Sequence, residues 1–223
     1  MQESPLISSV VFHLGPIPVT RSVVTTWIII GVLAGACWLI TRRLKIEADR
    51  RQAVLEIIVG GIAQQIEEVI RKDPRPFLPL LGTLFIFLVI ANLSGLLPGI
   101  EAPTSKLETP AALALIVFFS VHFFGVRTRG FRGYLASFAE PKIIMLPLNI
   151  LSEVTRTFSL MVRLFGNVMS GEFVIALVVG LAGLFVPIPL MVLEMLVGIV
   201  QAYIFTVLAT VFIGAALGNV ERG

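Results

Sequence analysis

The chain has 223 residues, 57% of them hydrophobic and only 14% charged, with 17 Lys and Arg against 14 Asp and Glu. A soluble domain carries about 25% charged residues, so this composition, with a mean hydropathy of +0.96, excludes an ordinary soluble globule and defines an integral membrane protein. In that setting a net charge of +3 records membrane orientation rather than nucleic-acid binding.

The first 22 residues form an external segment. Met1 to Pro18 has no basic stretch before an apolar core, so it does not read as a cleavable signal peptide. A first transmembrane helix follows over 23–41 and stops at Thr41-Arg42-Arg43. Its Cys37 is the only cysteine and reads as a small packing residue. Residues 42–76 are of mixed charge. Val54, Ile57, Ile58, Gly61, Ile62, Ile66, Val69 and Ile70 recur at helical spacing there, which predicts an amphipathic helix at the cytoplasmic membrane surface. Asp73-Pro74-Arg75-Pro76 closes it.

A helical hairpin is expected over 77–126. Its first arm ends at Pro98-Gly99, its short loop carries Glu101, Lys106 and Glu108, and its second arm runs to Val126. A cytoplasmic loop, 127–142, holds Arg127, Arg129, Arg132 and Lys142 around a Gly-rich turn. Lys and Arg number eight over 42–76, one over 99–109 and four over 127–142. Basic residues stay in the cytoplasm, so the first and third of these stretches lie inside, the N-terminus outside and, after five spans, the C-terminus inside.

The last part, 143–219, is unlike the rest. Ile143 to Val186 reads as nearly continuous helix, roughly 66 Å long at 1.5 Å per residue, against a hydrocarbon core of about 30 Å. Either it breaks near Gly166 and Gly171 or it lies far from the membrane normal. Val186-Pro187-Ile188-Pro189 turns the chain, and Leu190 to Gly218 returns. The fold class expected is therefore all-α integral membrane protein, with about five transmembrane segments, the last two a long, strongly tilted hairpin.

Within that hairpin sits Arg163. A guanidinium stays charged at any ordinary pH, and at mid-membrane it costs from roughly 3 to over 10 kcal/mol. Advancing 100° per residue from Arg163, Ser152, Arg156, Ser159, Asn167 and Ser170 all fall within a strip about 80° wide. In lipid such a strip must face protein or water. Glu172 points about 180° away, so it is badly placed to pair with Arg163. Glu194 and Gln201 share one face of the final helix. The simplest packing turns Glu172 and Glu194 toward a common polar cavity and leaves Arg163 facing a partner subunit. The bland readings are a snorkelling arginine, protonated glutamates and a glutamine bonding between helices, and serines that merely allow close packing. His122 reads as a satisfied core histidine and His13 as a solvated one. Two histidines and one cysteine do not suggest a zinc site, and no cofactor is expected.

The motifs Arg-Leu-Phe-Gly-Asn-(x)4-Glu at 163–172, Gln-Ala-Tyr-Ile-Phe at 201–205 and Ala-Asn-Leu-Ser-Gly-Leu-Leu-Pro-Gly at 91–99 resemble subunit a of F-type ATP synthases. So do Leu-Pro-Leu-Asn-Ile-Leu-Ser-Glu at 146–153 and Leu-Gly-Pro-Ile at 14–17. The resemblance covers essentially the whole chain. It implies a non-catalytic, ion-conducting subunit of a rotary complex in a bacterial plasma membrane, with a c-subunit ring, peripheral-stalk b subunits and membrane lipid as partners. It further implies that Arg163 is the stator arginine facing the ring. Glu172, Glu194, Gln201 and Asn167 would then line ion half-channels, with Arg156, Asn92, Ser159 and Ser170 as secondary candidates. Many members pair a glutamate with a histidine where this chain has Glu172 and Glu194, which leaves proton or sodium ion open as the cargo. The residues alone also admit a self-contained secondary transporter that binds an anionic substrate at Arg163. That reading expects inverted repeats, and the two halves show none.

Overall fold

The computed structural model describes residues 10–14, 17–42, 50–95, 102–139, 144, 146–183 and 186–218. The expected loop features at Pro98-Gly99, Glu101 and Lys142 lie outside them. The chain is a helical membrane protein: among the described residues four helices are long and apolar enough to cross a bilayer, and one shorter apolar helix accompanies them.

Strands β1 (Val10–Leu14) and β2 (Ile17–Thr20) pair antiparallel ahead of the first span. Runs of four and five residues are too short to mark an element in the hydropathy pattern, and the hairpin falls within the segment expected to be external. Helix α1 (Arg21–Thr41) is about 31 Å long, a match for the hydrocarbon thickness. Trp27, Ile28, Val32 and Leu39 stay more than half exposed, as lipid-facing side chains do. Cys37 is also exposed, not packed away, and it borders an apolar groove of about 650 Å³ between α1 and the next hairpin.

Helix α2 (Arg50–Ile70) is amphipathic, but its apolar face is divided. Ile66 and Ile70 are buried in the core while Ile57 and Ile58 remain exposed. Tyr203 of the last helix donates its Oη–H to Gln65 Oε1 at 3.0 Å, tying this helix to the bundle. Arg71, at φ 55°, ends it in the left-handed conformation, and its N–H reaches Glu67 O at 2.7 Å. Arg75 N–H then bonds Asp73 Oδ1 at 3.1 Å, and Pro79 stands in the first turn of α3 (Leu78–Ser94).

A 3-10 turn, Pro103–Ser105, is buried between the spans. Helix α4 (Glu108–Ala139) breaks at Gly130, where φ 73° and ψ 159° are open only to glycine. The stretch expected as a Gly-rich loop is thus helical on both sides of one glycine. Folding back at this point brings Tyr134 and Phe138 against His122, with ring centroids 5.8 and 6.4 Å away. The His122 Nδ1 lies 2.8 Å from Phe118 O, so this histidine is satisfied by packing.

Helix α5 (Leu146–Ala182) runs unbroken past Gly166 and Gly171 and stops at Gly183, φ 77°. At about 55 Å it crosses a 30 Å hydrocarbon core only when strongly inclined. Its threonines spend their hydroxyls on their own helix, Thr155 on Leu151 O at 2.8 Å and Thr157 on Glu153 O at 3.1 Å, as a low-dielectric environment requires. Helix α6 (Ile188–Ala216) starts at Pro187-Ile188-Pro189 and is the centre of the molecule. Its face of Gly198, Gln201, Ala202, Phe205, Thr206, Ala209, Thr210 and Ile213 is buried, and small residues there let α3 approach closely. Leu81, Leu88, Ala202, Phe205, Ala209 and Ile213 form the heart of the core.

Candidate functional site

The polar strip expected on one helix face lies on α5. Ser152, Arg156, Ser159, Arg163, Asn167 and Ser170 are all exposed, whereas Leu160, Leu164 and Val168 on the adjoining face are buried. Among the described residues, Arg163 makes no hydrogen bond and no ion pair. A groove of about 500 Å³ runs along the strip, lined by Ser152, Arg156, Ser159 and Arg163 with Leu208 and Phe212 of α6 behind them.

Arg156 differs from Arg163 although the two share the strip. Its Nη1 lies 3.9 Å from Glu153 Oε2, and its guanidinium stands 5.6 Å from the centroid of the Phe212 ring. It is therefore held within the chain by charge and by the ring face. Glu153, Tyr134, Asn149 and Ser152 line a second, mainly polar cavity of about 180 Å³ beside it. Asn149 Nδ2 donates to Phe138 O at 2.9 Å across this junction. Of these residues, sequence reasoning singled out Ser152 and Arg156 only. Glu153 and Asn149 were both visible as polar residues in an apolar helix. Glu153 falls off the strip, about 80° from Arg163, whereas Asn149 falls at its edge, about 40° away like Asn167, one turn before the first residue placed on it.

Toward the other end, Asn167 Nδ2 donates to Gln201 Oε1 at 2.6 Å and joins α5 to α6. Gln201 is 2% exposed, and its Nε2 has no partner among the described residues. Ser170 Oγ bonds back to Asn167 O at 3.1 Å. Glu194 of α6 lays its side chain over Gly171, where a Cβ would come within 2.7 Å of its Cδ. The carboxylate therefore sits next to Glu172, and the two interact electrostatically. Glu172 Oε1 in turn accepts from Ala102 N–H at 3.4 Å. The helical arithmetic is met: Glu172 and Glu194 share one region, and Arg163 faces elsewhere. Asn92 stands behind this region, donating Nδ2 to Gly198 O at 2.8 Å and accepting from Thr104 Oγ1 at 2.8 Å. Thr104 and Ala102 carried no signal in the sequence, since a Pro-Thr-Ser run in a short loop reads as solvated turn.

No group of three or more His, Cys, Asp or Glu side chains placed to hold a metal ion occurs among the described residues.

The fold and these groups define a polytopic α-helical membrane protein whose intramembrane ionisable residues gather on its last two helices. The family model described as ATP synthase A chain matches residues 23–214. A protein of Bradyrhizobium sp. strain BTAi1 named ATP synthase subunit a 2 is 77% identical over 223 residues, all of both chains. ATP synthase subunit a 1 of Chlorobaculum parvum is 47% identical over 96% of this chain and 95% of its own. ATP synthase subunit a 2 of Acaryochloris marina is 46% identical over 91% of this chain and 87% of its own. The chain belongs to the ATP synthase A chain family.

Proposed function

We propose that the chain is the ion-translocating subunit a of an F-type ATP synthase, with Arg163 as a fixed charge facing the carboxylates of a rotating c-subunit ring. The observation that carries this is the state of Arg163: permanently charged, exposed on an apolar helix, and without a partner among the described residues. Its counter-charge then belongs to another subunit. Glu172, Glu194, Gln201 and Asn167 line one ion half-channel, and the groove past Ser159 and Arg156 leads toward the other.

Electrostatics supplies the mechanism. A ring carboxylate crosses lipid only when a proton or bound cation neutralises it, because the bare anion costs too much. Beside Arg163 the anion becomes favourable, so the ion leaves into one half-channel. Past Arg163 the carboxylate reloads from the other. Arg163 also repels cations and so blocks a direct leak between the half-channels. Each charge falling through 100 mV yields about 2.3 kcal/mol, which biases rotation. The chain makes no ATP; it passes an ion, H+ or Na+, and the catalytic head uses the rotation. The setting is the bacterial plasma membrane, N-terminus outside and C-terminus cytoplasmic, with the c ring, b subunits and the rest of the complex around it.

Purification from membranes tests the assembly. The chain is expected to co-isolate with an oligomer of a small helical subunit. A stable monomer that transports an anionic solute on its own would overturn the proposal.

A further inference from the structure

Behind the two glutamates runs a chain of buried polar contacts that the mechanism above does not use. It starts at Glu172 on α5, whose Oε1 accepts from Ala102 N–H at 3.4 Å. The segment from Ala102 to Ser105 is closed on itself, Ser105 N–H and Oγ–H both reaching Ala102 O at 3.0 and 2.8 Å. Thr104 Oγ1–H donates to Asn92 Oδ1 on α3, and Asn92 Nδ2 donates to Gly198 O on α6, each at 2.8 Å. From the side, Ser22 of α1 donates Oγ–H to Pro103 O at 3.1 Å. Ala102, Thr104, Ser105 and Ser22 are each at most 3% exposed, and Asn92 is 9% exposed.

Gly198 lies between Glu194 and Gln201 on the same helix, four residues after one and three before the other. Its missing side chain eases the approach of Asn92, since a Cβ there would lie 3.1 Å from Asn92 Cβ. Gly95 makes similar room on α3: a Cβ would stand 2.8 Å from Ala102 Cβ and 3.4 Å from Glu172 Oε1. A loop that merely joined two spans would run over the surface with its polar groups in water. This one is driven into the bundle, bonded to α5 at Glu172 and, through Asn92 of α3, linked to α6 at Gly198.

We infer that Asn92 and Thr104 are positioning residues for the Glu172–Glu194 pair. The 102–105 segment is a strut that fixes how far the α6 carboxylate stands from the α5 carboxylate. The inference rests on the half-channel reading of those glutamates. Removing a link lets α6 slide or turn against α5, which changes the interaction between the two carboxylates and hence the ion concentration at which the site loads. Among the described residues the ionisable groups around the pair are few. Helix α3 has none, α6 adds Tyr203, and α5 adds Glu153, Arg156 and Arg163. The loop and the start of α4 contribute Lys106 and Glu108, Glu108 accepting from Thr20 Oγ1 at 2.7 Å, and α1 begins with Arg21.

The test uses the complete complex in proteoliposomes. ATP synthesis is followed against pH, and separately against Na+ concentration, on the face bearing the loop, at fixed membrane potential. Thr104→Val keeps the shape and removes the hydroxyl; Asn92→Leu removes both links. Each is expected to move the half-maximal concentration of the ion that drives synthesis by about threefold or more, the scale of one lost hydrogen bond. The limiting rate per assembled complex falls less, and Thr104→Ser restores the original profile. Superimposable profiles for assembled Thr104→Val and the parent overturn the inference, whatever the yield of complex. Glu172→Gln in the same assay separates the two readings. If it leaves the profile unchanged, the half-channel assignment fails and takes the strut with it. If it changes the profile and Thr104→Val does not, the strut alone fails.

Discussion

Gly171 shows how closely a single position is specified. The Glu194 side chain occupies the space a Cβ would need, and what it presents there is the far end of a flexible side chain rather than backbone. Gly171→Ala is therefore expected to re-aim the Glu194 carboxylate without unfolding the helix pair. ATP-driven pumping per complex should fall several-fold, while the apparent unfolding temperature in detergent moves by no more than a few degrees. A collapse of assembly with pumping per complex intact would contradict this. At the same scale, some site residues were legible in the sequence and others were not. Arg163, Glu172, Glu194 and Gln201 stand out because a charge or amide within an apolar helix is expensive, and a helix turns each residue number into an angle. Thr104 and the Ala102 N–H could not be found that way. Their importance comes from a loop folding inward, and no periodicity encodes that.

Helices were legible to the extent that they are long and apolar. The spans α1, α3 and α6 follow from hydropathy, and α5 was expected either to break or to tilt. It is continuous, because a glycine inside a helix costs only about 1 kcal/mol against alanine, less than breaking two long runs of backbone hydrogen bonds in lipid. Gly130 behaves differently because of its backbone angles. Its φ of 73° and ψ of 159° exclude a side chain, and the kink is what returns Tyr134 to Gly125, where a Cβ would lie 2.8 Å from the ring Cδ2. Gly130→Ala should cost about 1–3 kcal/mol and lower the apparent unfolding temperature by several degrees. Gly133→Ala, whose nearest neighbour would be Arg129 Cβ at 3.7 Å, should be neutral or slightly stabilising. Equal effects from the two substitutions would show that the kink is not fixed by Gly130.

Across the whole molecule, polar groups are distributed by what they face. Asn92, Thr104, Ser22, Thr206 and Thr210 are buried and bonded inside the protein. The α5 strip is exposed, and its one arginine without a partner among the described residues lies near its middle. Both Arg156 and Arg163 are permanently charged, yet Arg156 has Glu153 and Phe212 within reach. On the proposed reading, a chain that satisfies Arg156 internally and holds Arg163 outward places the second charge for something that comes and goes. The most direct measurement is ATP-driven ion pumping and gradient-driven ATP synthesis by the assembled Arg163→Ala complex. The account predicts that both fall to background while the assembly persists; normal coupled pumping in that complex would contradict it.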